Sequence, residues 1–300
     1  MDSVGAFICL ASAVAFGAMG IFGKLAYDEG ATVGTLLAVR FLLAAALFWV
    51  LVVGTGAAPR LRTLSRSDLG IALALGGVGY SAQAGAYFAA LARLEASLLS
   101  LLLYTFPGMV TVAAIALGRE RANRRTAAAL VLASAGLFLV LAGAGTGALD
   151  PLGTVLGVSA AVIYSTYVLT SASVADRVSP LVLSALVCTG AATTLTLVSA
   201  AGGDLHPGDV SAAGFGWLAG IAVISTVGAV SLFFAGLKRV GPTTASILST
   251  AEPLTTVLLA FLAFGESLGP MQLAGGALVV GAVLVLSAPH RLNGESNDDV

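Results

Sequence analysis

Long stretches without a charged residue constrain this chain more than any other feature of its sequence. They lie between Asp2 and Lys24, Asp68 and Arg93, Glu95 and Arg119, Arg125 and Asp150, Asp150 and Asp176, Arg177 and Asp204, Asp209 and Lys238, and Glu266 and Arg291. Each can hold an α-helix of about 20 residues, the length that crosses a bilayer. Two further apolar runs, 31–54 and 242–264, carry one charge each, Arg40 and Glu252. The sequence therefore predicts an all-α integral membrane protein with ten transmembrane helices, numbered here as spans 1 to 10.

The charges between these spans predict how the chain is oriented. Only 10% of the residues are charged and 58% are hydrophobic, and the mean hydropathy of +1.01 is far above that of soluble proteins. With the N-terminus inside, eleven basic residues lie on the cytoplasmic side: Arg60, Arg62, Arg66, Arg119, Arg121, Arg124, Arg125, Arg177, Lys238, Arg239 and Arg291. Only Lys24 and Arg93 lie outside. The positive-inside rule thus predicts a cell inner (plasma) membrane protein with both termini, including a tail at 290–300, in the cytoplasm.

The two halves of the chain repeat each other. A shift of 146 positions lays "YFAALARLEAS" (87–97) over "FFAGLKRVGPT" (233–243), and a shift of 148 lays "VAFGAM" (14–19) over "VIYSTY" (162–167). We predict two five-helix units, at 4–143 and 152–289. Because five is odd, the second unit must cross the membrane in the opposite sense. Such inverted repeats are typical of secondary transporters, in which a site between the halves faces each side in turn.

Three segments carry a resemblance to a known family: "VRFLLAAAL" in span 2, "SLLLYTFPGMVTVAAIALGRE" in span 4 and "SILSTAEPLTTVLLAFLAFGE" in span 9. Over residues 5–288 the chain resembles the EamA-type members of the drug/metabolite transporter superfamily, and within it the bacterial exporters of amino acids, including aromatic ones. The resemblance implies a ten-helix exporter with a central cavity lined mainly by spans 1, 3, 4, 6, 8 and 9. Spans 5 and 10 would then be peripheral.

Aromatic and polar side chains in these spans are the candidate substrate-binding residues. At 3.6 residues per turn Tyr80, Gln83 and Tyr87 share one face of span 3, and Tyr164 and Tyr167 share one face of span 6, while Tyr104 lies in span 4. The shift of 148 places Phe16 and Met19 of span 1 at the positions of Tyr164 and Tyr167. A tyrosine can hold a bulky side chain on its ring and orient it with its hydroxyl. Helix packing or an interfacial position would explain the same residues.

Two prolines are the candidate hinges. Pro107 in span 4 and Pro253 in span 9 correspond to each other under the shift of 146. Each has about ten residues of span on either side, and proline within a helix removes a hydrogen bond and kinks it. We expect kinks at equivalent depths, with backbone carbonyls freed near the midplane.

Glu252 is the one acidic residue in span 9, and it directly precedes Pro253. An ionised carboxylate near the bilayer midplane costs about 2.5–3.5 kcal/mol, so it must be paired, wetted by a cavity or protonated. Ser249 and Thr256, on the same helix face, are candidate hydrogen-bond partners. Because its repeat counterpart is Phe106, the acid breaks the symmetry. Glu252 either senses charge in the cavity or ties span 9 to a neighbouring helix.

Arg40 lies within span 2 and could bind a substrate carboxylate. Since the family resemblance makes span 2 peripheral, we expect instead that it snorkels or caps neighbouring carbonyls.

Other classes of function find little support in the sequence. Cys9 and Cys188 show no metal-ligand spacing, His206 and His290 lie in a loop and the tail, and no nucleotide-binding loop is present. We therefore expect no enzyme, no metal and no cofactor. The expected partners are a small-molecule substrate and the lipid bilayer, without nucleic acid and with the chain as a monomer. The alternative is a receptor or interaction protein that keeps a transporter scaffold without transporting.

Overall fold

The structure is a computed structural model that describes residues 2–118, 124–143, 150–175, 177–249, 251–265 and 269–287. Its α-helices are α1 (Ser3–Gly17), α2 (Met19–Asp28), α3 (Val33–Gly54), α4 (Arg66–Ala74), α5 (Ser81–Leu91), α6 (Ala96–Leu103), α7 (Phe106–Ala116), α8 (Arg124–Gly143), α9 (Pro151–Ala175), α10 (Pro180–Ala201), α11 (Ala212–Ala222), α12 (Ala229–Leu248), α13 (Ala251–Phe264) and α14 (Pro270–Ser287). No strand occurs within the described residues. The predicted tail at 290–300 lies outside them.

Six helical segments are long and apolar enough to cross a membrane: Ser3–Asp28, Val33–Gly54, Leu98–Ala116, Pro151–Ala175, Pro180–Ala201 and Ala212–Pro242. They correspond to the predicted spans 1, 2, 4, 6, 7 and 8. The other predicted spans are helical where the structure describes them, but they do not meet the same test of length and composition there. The all-helical membrane architecture is therefore confirmed, and the number of ten spans stays a prediction.

Side chains at the ends of several helices explain where those helices begin. The Asp2 carboxylate accepts hydrogen bonds from the backbone N–H groups of Val4 and Gly5 at the start of α1. Thr32 and Ser65 cap α3 and α4 in the same way. These caps satisfy donors that lack a partner in the first turn of a helix. The helices thus start where hydroxyl and carboxylate residues follow a loop.

The two predicted hinge prolines lie just after breaks in the helices. α6 ends at Leu103 and α7 starts at Phe106, so that Pro107 is its second residue. In the second half α12 ends at Leu248, and Pro253 is the third residue of α13. Proline has no N–H to donate and fits the first turn of a helix, where that N–H would lack a partner. The expected kinks are therefore short interruptions, each followed by a new helix.

Two π-helical segments also occupy equivalent places in the halves. Leu75–Tyr80 separates α4 from α5, and Val223–Gly228 separates α11 from α12. They start 148 positions apart, the shift that relates the first spans of the two halves. π-helical turns are rare and are frequent at functional sites. Both halves thus carry the same local departure from α-helical geometry.

The pairing of helices follows the repeat. α3 packs along α10 and α8 along α14, and in each pair the partners hold corresponding positions in the two halves. α1 packs along α12, and its counterpart pair is α9 with α5. Each helix pair thus has a counterpart in which the two halves have changed places. A two-fold relation between the halves produces this pattern. Around these pairs, α6 packs against α9 and α13, α1 packs against α13, and α5 packs against α3 and α6.

Candidate functional site

A small internal cavity lies where these helices meet. Its walls come from both halves of the chain and consist of Phe16, Met19, Arg40, Tyr80, Gln83, Ala84, Tyr87, Phe88, Leu103, Tyr164 and Glu252. Its volume is about 20 Å³, room for about one water molecule. The described conformation is therefore closed around a site that brings a basic and an acidic side chain together with aromatic rings.

Glu252 contributes an acidic side chain. Its side chain is only 7% exposed, and its Oε2 accepts a hydrogen bond of 2.6 Å from the Tyr104 hydroxyl. The expected bonds from its own helix face are absent: the Ser249 hydroxyl donates to the Ala245 carbonyl, and the Thr256 hydroxyl donates to the carbonyls of Gly17 and Glu252. Hydroxyls in helices commonly bond to the carbonyl four residues earlier, which satisfies them locally. The carboxylate thus depends on a helix of the other half.

Arg40 contributes the cation, and here the sequence-based expectation was wrong. Its side chain is 1% exposed, so it does not snorkel toward the membrane surface. Its Nε donates to Thr226 Oγ1 at 2.7 Å and its Nη2 donates to the Tyr80 hydroxyl at 3.3 Å. These acceptors are hydroxyls rather than backbone carbonyls. Tyr80 ends the first π-helical segment and Thr226 lies in the second, so one guanidinium bridges the two segments.

A chain of aromatic rings runs between the cation and the anion. Near Arg40, the Phe41 and Tyr80 ring centroids are 5.1 Å apart, and Tyr80 lies 5.5 Å from Tyr167. The chain continues from Tyr167 to Tyr164 at 6.0 Å and from Tyr164 to Phe106 at 4.6 Å. It ends with Phe106 and Tyr104, whose ring centroids are 5.5 Å apart. Ring pairs at such distances interact favourably, so these contacts stabilise the packing between Arg40 and Glu252.

Gln83 adds an amide to the cavity wall. The residue is 5% exposed, and its side chain makes no hydrogen bond within the part of the chain that the structure describes. A hydrogen bond from Gln83 to a neighbouring helix is therefore not observed there. Buried amides usually have partners because leaving one unsatisfied is costly. Gln83 thus lines the cavity with an amide that has no hydrogen bond to the described residues.

Seven of the predicted binding residues line this cavity: Phe16, Met19, Tyr80, Gln83, Tyr87, Tyr164 and Glu252. Tyr104 joins the site through its bond to Glu252. The Tyr167 ring contacts the rings of Tyr80 and Tyr164 but does not line the cavity. Ser249 does not line the cavity either. The side chain of Pro253 lies outside the described residues. Their roles in binding stay predictions.

Two larger grooves lie on the outer side of α9. One has a volume of about 460 Å³ and is formed with α7 and α8, and the other, of about 500 Å³, is formed with α4 and α5. Their walls are mostly apolar, and Val162, which lines both, is half exposed. We therefore place the functional site in the smaller cavity, where the buried charges are.

The comparisons with known proteins assign the family. The profile of the EamA-like transporter family matches residues 3–142 and again 151–288. The chain belongs to the EamA-like transporter family. The two matches together cover nearly the whole chain, so the protein is a membrane transporter of this family with two copies of its domain.

Individual relatives agree with this family. The chain is 28% identical over 279 residues to the "Uncharacterized transporter YcbK" of Bacillus subtilis, a match that covers 91% of this chain and 89% of the relative. It is 31% identical to an "Uncharacterized transporter" of Archaeoglobus fulgidus, over 66% of this chain and 70% of the relative. A solved crystal structure is similar with a TM-score of 0.72 over 96% of this chain and 97% of that one. At 20% identity, that likeness shows the fold alone.

The described residues also bear on metal binding. Among them, no group of three or more His, Cys, Asp or Glu side chains is close enough to hold a metal ion. The chemistry that the cavity offers is therefore ion pairing, hydrogen bonding and contact with aromatic rings.

Proposed function

We propose that this protein is a secondary transporter that exports amino acids, including bulky and aromatic ones, together with related small metabolites. The observation that carries the proposal is the internal cavity, in which Glu252 and a series of tyrosine and phenylalanine rings face each other between the two halves of the chain. The carboxylate suits an ammonium group, and the rings suit a large side chain. A cavity closed to about 20 Å³ must widen before such a molecule can enter.

We further propose that the cavity opens to the two sides of the membrane alternately. The protein would lie in the cell inner membrane with both termini in the cytoplasm, and its ten helices would form two inverted units. In such a protein the two halves can exchange conformations, so that the site faces each side of the membrane in turn. The paired helix breaks and paired π-helical segments support this, because each offers an equivalent place for both halves to bend. The chain would work as a monomer, since the cavity is formed within one chain.

Flux into purified proteoliposomes tests the proposal. Vesicles loaded with unlabelled amino acids should take up labelled aromatic amino acids by exchange, and aliphatic and hydroxy amino acids should be compared in the same assay. Vesicles without protein are the control. Absence of flux for every member of this panel would contradict the proposal, and binding without flux would favour a receptor on a transporter scaffold.

A further inference from the structure

We propose that Arg40 binds the carboxylate of the transported substrate and thereby selects zwitterions over amines that lack a carboxylate. This inference rests on the proposed function, which it makes more specific. The sequence left this role open for Arg40 but favoured a structural one. Three observations support carboxylate binding. The Arg40 guanidinium is buried, it has N–H groups that form no hydrogen bond with the described residues, and it lies at the cavity.

The guanidinium of Arg40 is a buried charge. Arginine stays protonated in proteins, and within the described residues Arg40 has no carboxylate at ion-pair distance. Glu252 lines the same cavity, but its carboxylate bonds to Tyr104 instead. Buried charges in folded proteins are normally paired because removing a lone charge from water is costly. An anion that enters the cavity would supply the missing partner.

The hydrogen bonds that Arg40 does make leave donors free. A guanidinium has five N–H groups, and the described contacts use one from Nε and one from Nη2. The remaining N–H groups belong to Nη1 and Nη2, the pair that binds a carboxylate through two parallel hydrogen bonds. The bonds to Thr226 and Tyr80 hold the guanidinium in place without neutralising its charge. Arg40 is thus preorganised for an anion.

Aromatic rings fix the guanidinium further. Its central carbon lies 4.7 Å from the Phe41 ring centroid and 5.3 Å from that of Phe88. Arginine stacks on aromatic faces, and its flat fork suits carboxylates in a way that lysine does not. The rings therefore compensate part of the lost hydration and leave the edge of the fork for a ligand.

The charges in the cavity match the two charges of an amino acid. Arg40 comes from the first half and Glu252 from the second, and both line the same cavity. A zwitterion can place its carboxylate on Arg40 and its ammonium on Glu252, with its side chain along the rings between them. A simple amine would leave Arg40 unpaired, and a simple carboxylic acid would leave Glu252 unpaired. Such unpaired groups are the strongest source of discrimination in a binding site.

Three ligands that differ only in charged groups test this inference: L-phenylalanine, 2-phenylethylamine and 3-phenylpropionate. Binding to purified protein is measured by equilibrium dialysis, and exchange flux in proteoliposomes is measured in parallel. We expect wild type to prefer phenylalanine. Arg40→Gln should weaken phenylalanine binding by about 10- to 100-fold, the usual effect of losing a charge-assisted hydrogen-bond pair, and change phenylethylamine binding by less than about threefold.

Two further variants separate selectivity from folding. Arg40→Lys keeps a buried cation and should weaken phenylalanine binding less than Arg40→Gln does, which keeps the test open if Arg40→Gln fails to fold. Arg66→Gln makes the same chemical change at an exposed residue and should leave all three affinities unchanged. A matching set repeats the test for aliphatic substrates. It consists of leucine, the corresponding amine without the carboxylate and the corresponding acid without the ammonium group.

The outcomes distinguish this inference from the proposed function. If wild type transports phenylalanine or leucine and both Arg40 variants retain wild-type preference over the amine, Arg40 does not bind the carboxylate, and the proposed function still stands. If wild type neither binds nor transports any amino acid, the proposed function fails and this inference fails with it. A loss of preference confined to the Arg40 variants supports both.

Discussion

The break before α7 and the break before α13 have the same backbone arrangement but carry different side chains. In each half a helix stops, and the next one begins within three residues of a proline. The residue before that proline is Phe106 in the first half and Glu252 in the second. Phe106 is fully buried against the rings of Tyr104 and Tyr164. Glu252 accepts a hydrogen bond from the same Tyr104.

The two halves therefore share their backbone arrangement at these places but not their side chains. Equivalent breaks and π-helical segments offer both halves the same places to bend, which the proposed alternating access would require. The side chains at those places are unequal: a ring faces a carboxylate, and Tyr80 and Thr226 of the two π-helical segments meet at one guanidinium. A symmetric set of side chains would supply two like charges or none. The asymmetry is what allows one cavity to hold both a basic and an acidic side chain.

The largest effect is expected in the two π-helical segments. A Cβ on Gly76 would lie 1.9 Å from the Val187 backbone oxygen of α10, whereas a Cβ on Gly228 would meet nothing nearer than the Val223 oxygen at 3.4 Å. Gly76→Ala should therefore cost about 3 kcal/mol or more, and Gly228→Ala should change stability by less than about 1 kcal/mol. Thermal unfolding in detergent measures both. Equal melting temperatures would show that the first segment is not held against α10.

The next effect separates Glu252 from its counterpart. Glu252→Gln keeps the size and a hydrogen-bond acceptor for Tyr104 but removes the charge, so amino-acid flux should fall about 10- to 100-fold. Its melting temperature should change little. The matched variant Phe106→Leu should instead cost about 1 kcal/mol of stability and leave flux within a few-fold. Equal flux in Glu252→Gln and wild type at every pH would leave Glu252 with a structural role only.

A smaller effect tests the bond that joins the two breaks. Tyr104→Phe removes the hydrogen bond that the carboxylate receives within the described residues, so it should cost about 1–3 kcal/mol. Tyr164→Phe also removes a hydroxyl next to Phe106, but that hydroxyl forms no hydrogen bond in the same described part of the chain, and the ring contacts remain. Its melting temperature should match that of wild type. A Tyr164→Phe variant as unstable as Tyr104→Phe would contradict the assigned pairing.

The smallest effect concerns a carboxylate at the edge of the protein, in contrast to buried Glu252. Asp68 accepts hydrogen bonds from the Ser65 hydroxyl at 2.8 Å and from Arg177 Nε at 2.9 Å. These contacts, first the hydroxyl and then the guanidinium, lower the pKa of Asp68 below its ordinary value of 3.8. Because the folded-state pKa is the lower one, the stabilisation is full above the ordinary value and is lost as the pH falls through the folded one.

Asp68→Asn should therefore lower the melting temperature slightly at pH 7, and the difference from wild type should shrink as the pH falls below the ordinary pKa of 3.8. Melting temperatures of both proteins across this pH range provide the measurement. Asp209→Asn, at an exposed carboxylate, is the control and should show no such trend. A difference that persists unchanged in acid would assign the effect to lost packing rather than to charge.

Several features of the cavity followed from the sequence because each depends on local spacing. Tyr80, Gln83 and Tyr87 were expected on one helix face, and all three line the cavity. The breaks near Pro107 and Pro253 follow from the chemistry of proline at its own position. Glu252 was recognisable as a candidate because an ionised carboxylate surrounded by lipid is costly.

Other features could not be read in this way because they depend on which helices meet. Ser249 and Thr256 have the spacing to bond to Glu252, yet their hydroxyls reach backbone carbonyls first. The π-helical segments have no marker that separates them from ordinary apolar helix. The family resemblance made span 2 peripheral, and the arginine side chain proved long enough to reach the centre from there.

The sequence by itself determined that this chain is a helical membrane protein built from two related halves, because hydropathy and repetition are properties of the chain alone. Only the tertiary structure decided that Arg40 and Glu252 line one cavity. The physical reason is that a membrane helix is apolar toward lipid and toward protein alike, so periodicity does not reveal its inner face. A buried basic residue on one helix and a buried acidic residue on another become a site only when packing brings them together.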